Sequence, residues 1–545
     1  MSDATAFFIR RFRGALDNVG EPGRYFRPRP YRNAVVRFRG CSIEDFEQRR
    51  DILVNEAGLN AFLFRADMIP GCDLLSDSGT TTMTMEQWAA MFLGDEAYGS
   101  NEGFFELREQ FAETFGAGWC DEGASAGGSS DSMFLFHQGR AAENAFFSVL
   151  ARELSRAGAG RGGALSGGLL PELLERIGPR LGGADGSPGG PVFIIPSNSH
   201  FDTTQGNIED KGMIPLNLPC KRHLENDETY PFRGNMDIEE LENLLEHERD
   251  RVPVVYLTVT NNTGGGQPVS IDNMRRIRQV TRRYNVPFFL DACRFAENAW
   301  FIQRHEEEFA GTGIPEIVRE MFRYVDGFHI SLKKDGLANM GGALVIRRDG
   351  DLFRRFPGFR EGITDRQIMT EGHPTYGGLA GRDLMAIAEG LRTVVRRDYL
   401  DARIGQVARF GAGLDRCGIP VVKPVGGHAV YIDIDRFFDG AAADVGDFRG
   451  IAFTALLLIA GHRVCELGTY AFGSFDGERE IPPDPRINYV RAAVPRLTYE
   501  DRDLSAVVEA VRVLADHRDR IPGVKVEYGR QLSLRHFKSR FSFAG

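Results

Sequence analysis

The strongest constraint in this chain is an alternation running from Val192 to Ile346. Short apolar stretches at 192–195, 254–259, 286–290, 327–330 and 343–346 are separated by segments with helical spacing of apolar residues, such as 271–284. Apolar runs of this length, each followed by a helix, bury both faces most readily as a mostly parallel sheet with helices on either side. In such sheets ligands collect beyond the carboxyl ends of the strands. Four loops fall there: SNSHFDTTQG, TNNTGGGQP, DACRF and SLKKD. A further strand is expected at Met133–Phe136, leading through HQGR into a helix from Ala141. The fold class is therefore α/β, a large sheet domain followed by a smaller α/β unit. The expected layout is a tail at 1–26, an arm and part of the small domain at 27–75, the large domain at 76–390 and the small domain at 391–545. Glycine-rich insertions near 116–131 and 156–190 are expected to bury little, apart from a short helix at Pro171–Ile177.

The chain has 545 residues, 42% apolar and 26% charged, with a net charge of −10. That acidity argues against binding driven by nucleic-acid phosphates. The seven cysteines are scattered without a CxxC pair, which points away from a zinc knuckle or disulfide framework and toward a reducing compartment. The first residues lack the apolar core of a signal peptide. The longest greasy run, 451–460, is shorter than the roughly 20 residues that a membrane helix needs. A cytoplasmic enzyme or binding protein is the expected class.

The chemistry centres on 328–342, FHISLKKDGLANMGG. A lysine at the mouth of a buried sheet, with a second cation beside it, suits imine formation, since desolvation and a neighbouring charge favour the nucleophilic neutral amine. Lys334 fills that role with Lys333 as neighbour; a solvated lysine pair is the plain alternative. Asp291, closing a strand, can hold a protonated pyridine nitrogen, with Arg294 near a phenolic oxygen, or can simply cap the next helix. Gln138, Gly139 and Arg140 at a helix start, with Ser331, form a phosphate cup or a plain glycine turn. Phe201 can stack on a planar ring, and Asn262 can donate to a ring oxygen. Arg491, in an otherwise apolar strand, needs a carboxylate, supplied by a substrate or by a structural salt bridge. Tyr98 and Tyr376 sit among glycine-rich turns as possible proton donors.

In chain order these stretches, with LLSDSGT, GDEAYGS, HQGRAAE, DACRFAENAWFI, PTYGGL, GGHAV and VRAAVPRLTY, resemble the β-eliminating lyases, a family of pyridoxal-phosphate enzymes. The likeness runs from about Arg27 to the C-terminus. It implies the aspartate-aminotransferase-like fold, type I among pyridoxal-phosphate enzymes, and a homotetramer with sites shared between subunits. Lys334 then matches the lysine that binds the cofactor, Asp291 the partner of its ring nitrogen, and Arg294 and Asn262 the residues near its ring oxygen. Phe201 matches the stacking aromatic, and Gln138, Gly139, Arg140, Ser331 and Lys333 match the phosphate site. Arg491 matches the carboxylate-binding arginine, and Tyr98 a catalytic tyrosine that reaches a neighbouring subunit. Tyr376 matches a tyrosine near the phosphate, and Glu96 with the carbonyls of Gly79 and Asn339 a potassium site.

The family has a branch that releases indole from tryptophan and one that releases phenol from tyrosine. Where the phenol branch carries an arginine, this chain has Leu467, which cannot pair with a phenolic oxygen. Asp202 and His536 also agree with the indole branch. Phe62 and Cys465 complete the expected leaving-group pocket. Three features depart from that pattern: His373 before PTYGG, the small Cys465, and GLAGRD at 378–383, which reads closer to the phenol branch. The implied reaction is L-tryptophan and water to indole, pyruvate and ammonium. A tyrosine or substituted-tryptophan lyase, and an aminotransferase of the same fold, are the competing expectations.

Overall fold

The apolar stretches pair into a five-stranded sheet in the order β1–β7–β6–β5–β4, where β1 is Met133–Phe136, β4 Val255–Thr258, β5 Phe288–Asp291, β6 Gly327–Ser331 and β7 Gly342–Ile346. Strands β4, β5 and β6 run parallel, while β7 runs against both β6 and β1. This computed structural model describes residues 46–119, 133–158, 165–178, 192–438, 445–483 and 487–544. The expected tail at 1–26, the arm up to 45 and most of both glycine-rich stretches lie outside the described residues; the helix Pro171–Ile177 lies within them.

Alternation along the strands explains why both faces are covered. In β4, Tyr256 joins Phe146, Phe147, Phe289 and Phe359 on one side, whereas Val255 and Leu257 join Phe115, Trp119, Phe322 and Phe328 on the other. Such two-sided burial is what a parallel α/β sheet requires. β5 begins two residues later than the sequence expectation because Pro287 has no amide hydrogen to give a ladder.

A separate parallel pair, β2 (Ile194–Ser197) and β3 (Ile214–Asn217), lies beside β4. Asn198 makes the connection. Its Oδ1 accepts from Thr258 N at 2.8 Å, and its Nδ2 donates to Thr258 O at 3.0 Å and to Gly234 O at 2.7 Å. A side-chain amide thus stands in for ladder bonds at a buried position. Asn198→Ala is expected to destabilise the fold by about 2–4 kcal/mol, since several buried backbone groups lose partners that are worth ~1–3 kcal/mol each. Urea unfolding checks this.

The smaller unit holds an antiparallel sheet in the order Ala429–Asp433, Tyr489–Ala493, Cys465–Leu467. Its core is shared by Leu53, Phe64, Phe410, Phe453, Val490 and Val507, so part of segment 46–74 packs with the C-terminal unit. Among the described residues no helix is long and apolar enough to cross a membrane.

Candidate active site

The ten residues expected to hold the cofactor all line one cleft at the carboxyl ends of β4, β5 and β6. The helix Gly139–Arg156 starts against the end of β6. A Cβ on Gly139 would come within 2.6 Å of Ser331 Cβ, so only glycine allows this approach. The first amides of that helix and the Arg140 guanidinium make an anion-binding corner. Lys333 lies beside it; burial, then Arg140 and Lys334, lower its pKa. Four cations, Arg140, Arg294, Lys333 and Lys334, line one cleft, and neither Arg140 nor Lys333 has a carboxylate ion-pair partner among the described residues. Such an arrangement suits a phosphate.

Lys334 is 8% exposed, and its ammonium makes no hydrogen bond or ion pair among the described residues; its one close partner is the Phe201 ring, 5.7 Å from Nζ. Across the cleft, Asp291 accepts from Cys293 N at 3.3 Å. Burial works against its charge, but His329, and more weakly Lys334, hold its pKa well below the usual carboxylate range.

Asn262 is oriented by three donors to its Oδ1: Tyr431 Oη at 2.6 Å, His428 Nε2 at 3.1 Å and an Arg491 nitrogen at 3.3 Å. Arginine can only donate, so the oxygen must face it and Nδ2 must face away. That Nδ2 is buried without a partner among the described residues, an unspent donor on a cleft residue. Burial and nearby cations push His428 well below its ordinary pKa, so it is neutral here.

Arg491 lies in register with Tyr431 on one side and Cys465 on the other, so the three side chains share one face of the small sheet. It is 6% exposed, bonds to Asn262 and to Leu75 O at 3.1 Å, and keeps a buried Nε without a partner. No carboxylate pairs with it among the described residues. A buried guanidinium without a counter-ion is costly, by several kcal/mol, unless a ligand supplies the anion. The structural salt bridge considered from the sequence is absent among the described residues. Arg294 differs: its Nε and one terminal nitrogen bind Asp77 at 3.0 and 2.8 Å, so its charge is already balanced.

The expected leaving-group residues also meet. His536 Nε2 lies 3.5 Å from Asp202 Oδ2, and the His536 ring sits edge-on to Phe62 at 5.7 Å. Burial opposes the Asp202 charge, yet His536 and Arg140 lower its pKa. Phe62 packs against the cluster containing Cys465 and Leu467. Burial pushes the Cys465 thiol up to about 12, so it is a neutral apolar wall.

Between those two residues Glu466 accepts from Tyr470 N at 3.1 Å and Ala471 N at 3.0 Å. Burial nevertheless raises its pKa from 4.5 to about 7. The folded state therefore holds this proton more tightly than the unfolded chain does. The resulting stabilisation is full below about pH 4.5 and is lost as pH rises through about 7. Glu466→Gln is expected to remove up to about 3 kcal/mol from the fall in stability between pH 5 and pH 8. Denaturant midpoints at the two pH values check it.

Tyr98, expected to reach a neighbouring subunit, and the expected potassium trio are not assembled within one chain. Tyr98 is 81% exposed and stacks edge-on with His373 and Tyr376, at 5.9 and 5.6 Å, and neither tyrosine lines the cleft. For the potassium trio, Gly79 and Asn339 are adjacent, with Asn339 Nδ2 donating to Gly79 O at 3.1 Å. Glu96 is instead an exposed side chain paired with Arg382, because that guanidinium is the cation within its reach.

Sequence reasoning missed four groups. Glu143 lines the cleft and His329 backs Asp291. Asp77 and Arg496 form a buried charge cluster in which Arg496 binds Asp77 at 2.9 Å, Glu297 at 2.8 Å and Asp335 at 2.7 Å. The available signal was a histidine inside the apolar strand GFHIS and an arginine just after VRAAVP.

Residues 73–510 match the family described as "Beta-eliminating lyase". The chain belongs to that family. This lyase is 37% identical to a tryptophanase of Salinibacter ruber over 504 residues, covering 92% of this chain and 93% of the relative. It is 39% identical to a tryptophanase of Rhodobacter capsulatus over 492 residues, 90% of this chain and 94% of the relative. A tyrosine phenol-lyase of Intrasporangium calvum is 35% identical over 496 residues, 91% of each chain. The lyase is thus a pyridoxal-phosphate enzyme of the β-elimination type, and its sheet is that of the fold type I enzymes. The cleft fits the cofactor: it offers an unpaired lysine, a strand-end carboxylate, an unspent amide donor and a cationic corner around a glycine that a Cβ would fill.

Proposed function

We propose that this lyase converts L-tryptophan and water to indole, pyruvate and ammonium. The observation that carries the reading is the buried Arg491, which has no carboxylate partner among the described residues and lies within one hydrogen bond of cleft residue Asn262. A substrate α-carboxylate at Arg491 brings the α-carbon toward the cleft that holds Lys334. The wall made by Leu467, Cys465 and Phe62 offers no charge for a phenolic oxygen and accepts an apolar ring.

When bound, pyridoxal phosphate supplies an aldehyde that takes the substrate amine and a protonated ring that accepts the electron pair left by the α-proton. Gln138, Gly139, Arg140, Ser331 and Lys333 would hold its phosphate, Phe201 would lie against its ring, and Asn262 would donate to its ring oxygen, with Arg294 nearby. Asp291 would hold the proton on the ring nitrogen. The Lys334 amine would take the α-proton at Nζ. Asp202 and His536 deliver a proton to C3 of the departing indole, and the carbon–carbon bond breaks with the electron pair leaving on the ring. Acid catalysis of this kind is worth about 10²–10⁴-fold.

The same reading includes a homotetramer in which Tyr98 of one subunit serves a neighbour's cleft. The exposure of Tyr98, Phe92 and Leu93 supports it. A potassium ion would then lie between the carbonyls of Gly79 and Asn339 and Glu96 from a second subunit, with Tyr376 at the same contact. A cytoplasmic, reducing location agrees with the free thiols of Cys72, Cys220, Cys293, Cys417 and Cys465.

The test is pyruvate release from a panel of aromatic amino acids with potassium present. A higher kcat/KM for tryptophan than for tyrosine is expected; a preference for tyrosine contradicts the pocket reading.

A further inference from the structure

His329 is fully buried in β6, and its register partner in β5 is Asp291. Its Nε2 lies 3.5 Å from Asp291 Oδ1 and 3.2 Å from Glu143 Oε1, a residue of the helix Gly139–Arg156. Neither contact is aligned as a full hydrogen bond, and both ring nitrogens lack any other hydrogen-bond partner among the described residues. The nearest oxygens of the two carboxylates and the ring nitrogen all lie within 4.8 Å of one another. The second Glu143 oxygen accepts from Thr203 Oγ1 at 3.0 Å. From β4 the Tyr256 ring faces the imidazole at 5.7 Å, and its hydroxyl, pushed up by burial and then by Glu143 and Asp291, stays neutral. Lys334, the next cation near Asp291, belongs to the reacting centre.

Two buried carboxylates this close cannot both stay ionised without a cation between them; one would take up a proton. A protonated Asp291 could not hold a proton on a pyridine nitrogen. We propose that His329 is a positioning residue for Asp291: an imidazolium wedged between Glu143 and Asp291 that keeps Asp291 ionised toward the cofactor ring. Burial disfavours its charge, but Asp291 and Glu143 outweigh that and raise its pKa to about 10. The assignment adds a three-residue relay behind the ring-nitrogen site. It rests on the proposed role of Asp291 toward the cofactor, which reductive trapping on Lys334 tests by itself.

The first measurement needs no cofactor. Imidazole ¹⁵N shifts of the apo protein at pH 8, assigned by the signal lost in His329→Gln, should show His329 doubly protonated; a neutral ring overturns the proposal. The second uses the loaded protein. His329→Gln should weaken pyridoxal-phosphate binding by about tenfold, the scale on which partners of a binding group act, and shift the pH at which the cofactor absorbance band changes. Adding Glu143→Gln removes the repulsion and should bring binding back to within about threefold of the parent. Unchanged binding and spectrum in His329→Gln, or no rescue in the double variant, reduces His329 to a structural ion pair and sinks the inference. A parent protein trapped normally on Lys334 beside a neutral His329 would sink this inference alone and leave the cofactor reading standing.

Discussion

Replacing Lys334 by alanine is expected to abolish turnover, lowering kcat by about 10⁴-fold or more. The Lys334 amine is buried with no ion pair among the described residues, near the Phe201 ring and in one cleft with Asp291. It combines two roles, covalent attachment of the cofactor and removal of the α-proton, and loss of general-base catalysis alone is worth about 10²–10⁴-fold. The adjacent Lys333 cannot take over. Its O accepts from Gly79 N, and its side chain packs where a Gly79 Cβ would meet it at 2.6 Å, turned toward the anion corner. Lys333→Ala is therefore expected to weaken cofactor binding while leaving measurable turnover at saturating cofactor. Steady-state pyruvate release with both variants separates the two lysines; parental turnover by Lys334→Ala would contradict the assignment.

Arg491→Met carries the second large effect, and its sign differs between activity and stability. Removing the arginine that holds the substrate carboxylate should lower kcat/KM by about 10²–10³-fold, in line with ~2–5 kcal/mol for truncating one partner of a buried charge pair. An ordinary buried salt bridge, cut in the same way, would also destabilise the fold by ~3–5 kcal/mol. No carboxylate faces Arg491 among the described residues, so the free protein loses an uncompensated charge instead. Its thermal midpoint without substrate should hold or rise. A drop of several degrees together with modest kinetic loss would mark Arg491 as structural.

Much of this site was legible because its residues follow strand ends, and strand ends are visible in the sequence. DACRF and SLKKD place Asp291 and Lys334 at the mouths of adjacent parallel strands once 286–290 and 327–330 read as buried runs, and the observed strands are 288–291 and 327–331. The Arg491, Cys465 and Leu467 group required the small sheet's register, which no local pattern encodes; only the family likeness brought them together beforehand. The charge cluster around Arg496 joins residues more than 160 positions apart and is invisible to spacing arguments. Asn198 reads as a turn residue in SNSH, and its work as a ladder surrogate appears only when β2 and β4 lie side by side. His329 is not legible from the sequence, because a histidine in an apolar strand reads as core until its register partner is known to be Asp291.

The central claim, that Lys334 is the residue that bonds the cofactor, is tested most directly by borohydride reduction of the protein loaded with pyridoxal phosphate, followed by peptide mass analysis. The account predicts a single pyridoxyl adduct in the SLKKDG peptide, on Lys334. An adduct on Lys333 or elsewhere, or none in a protein that still releases pyruvate, would contradict it.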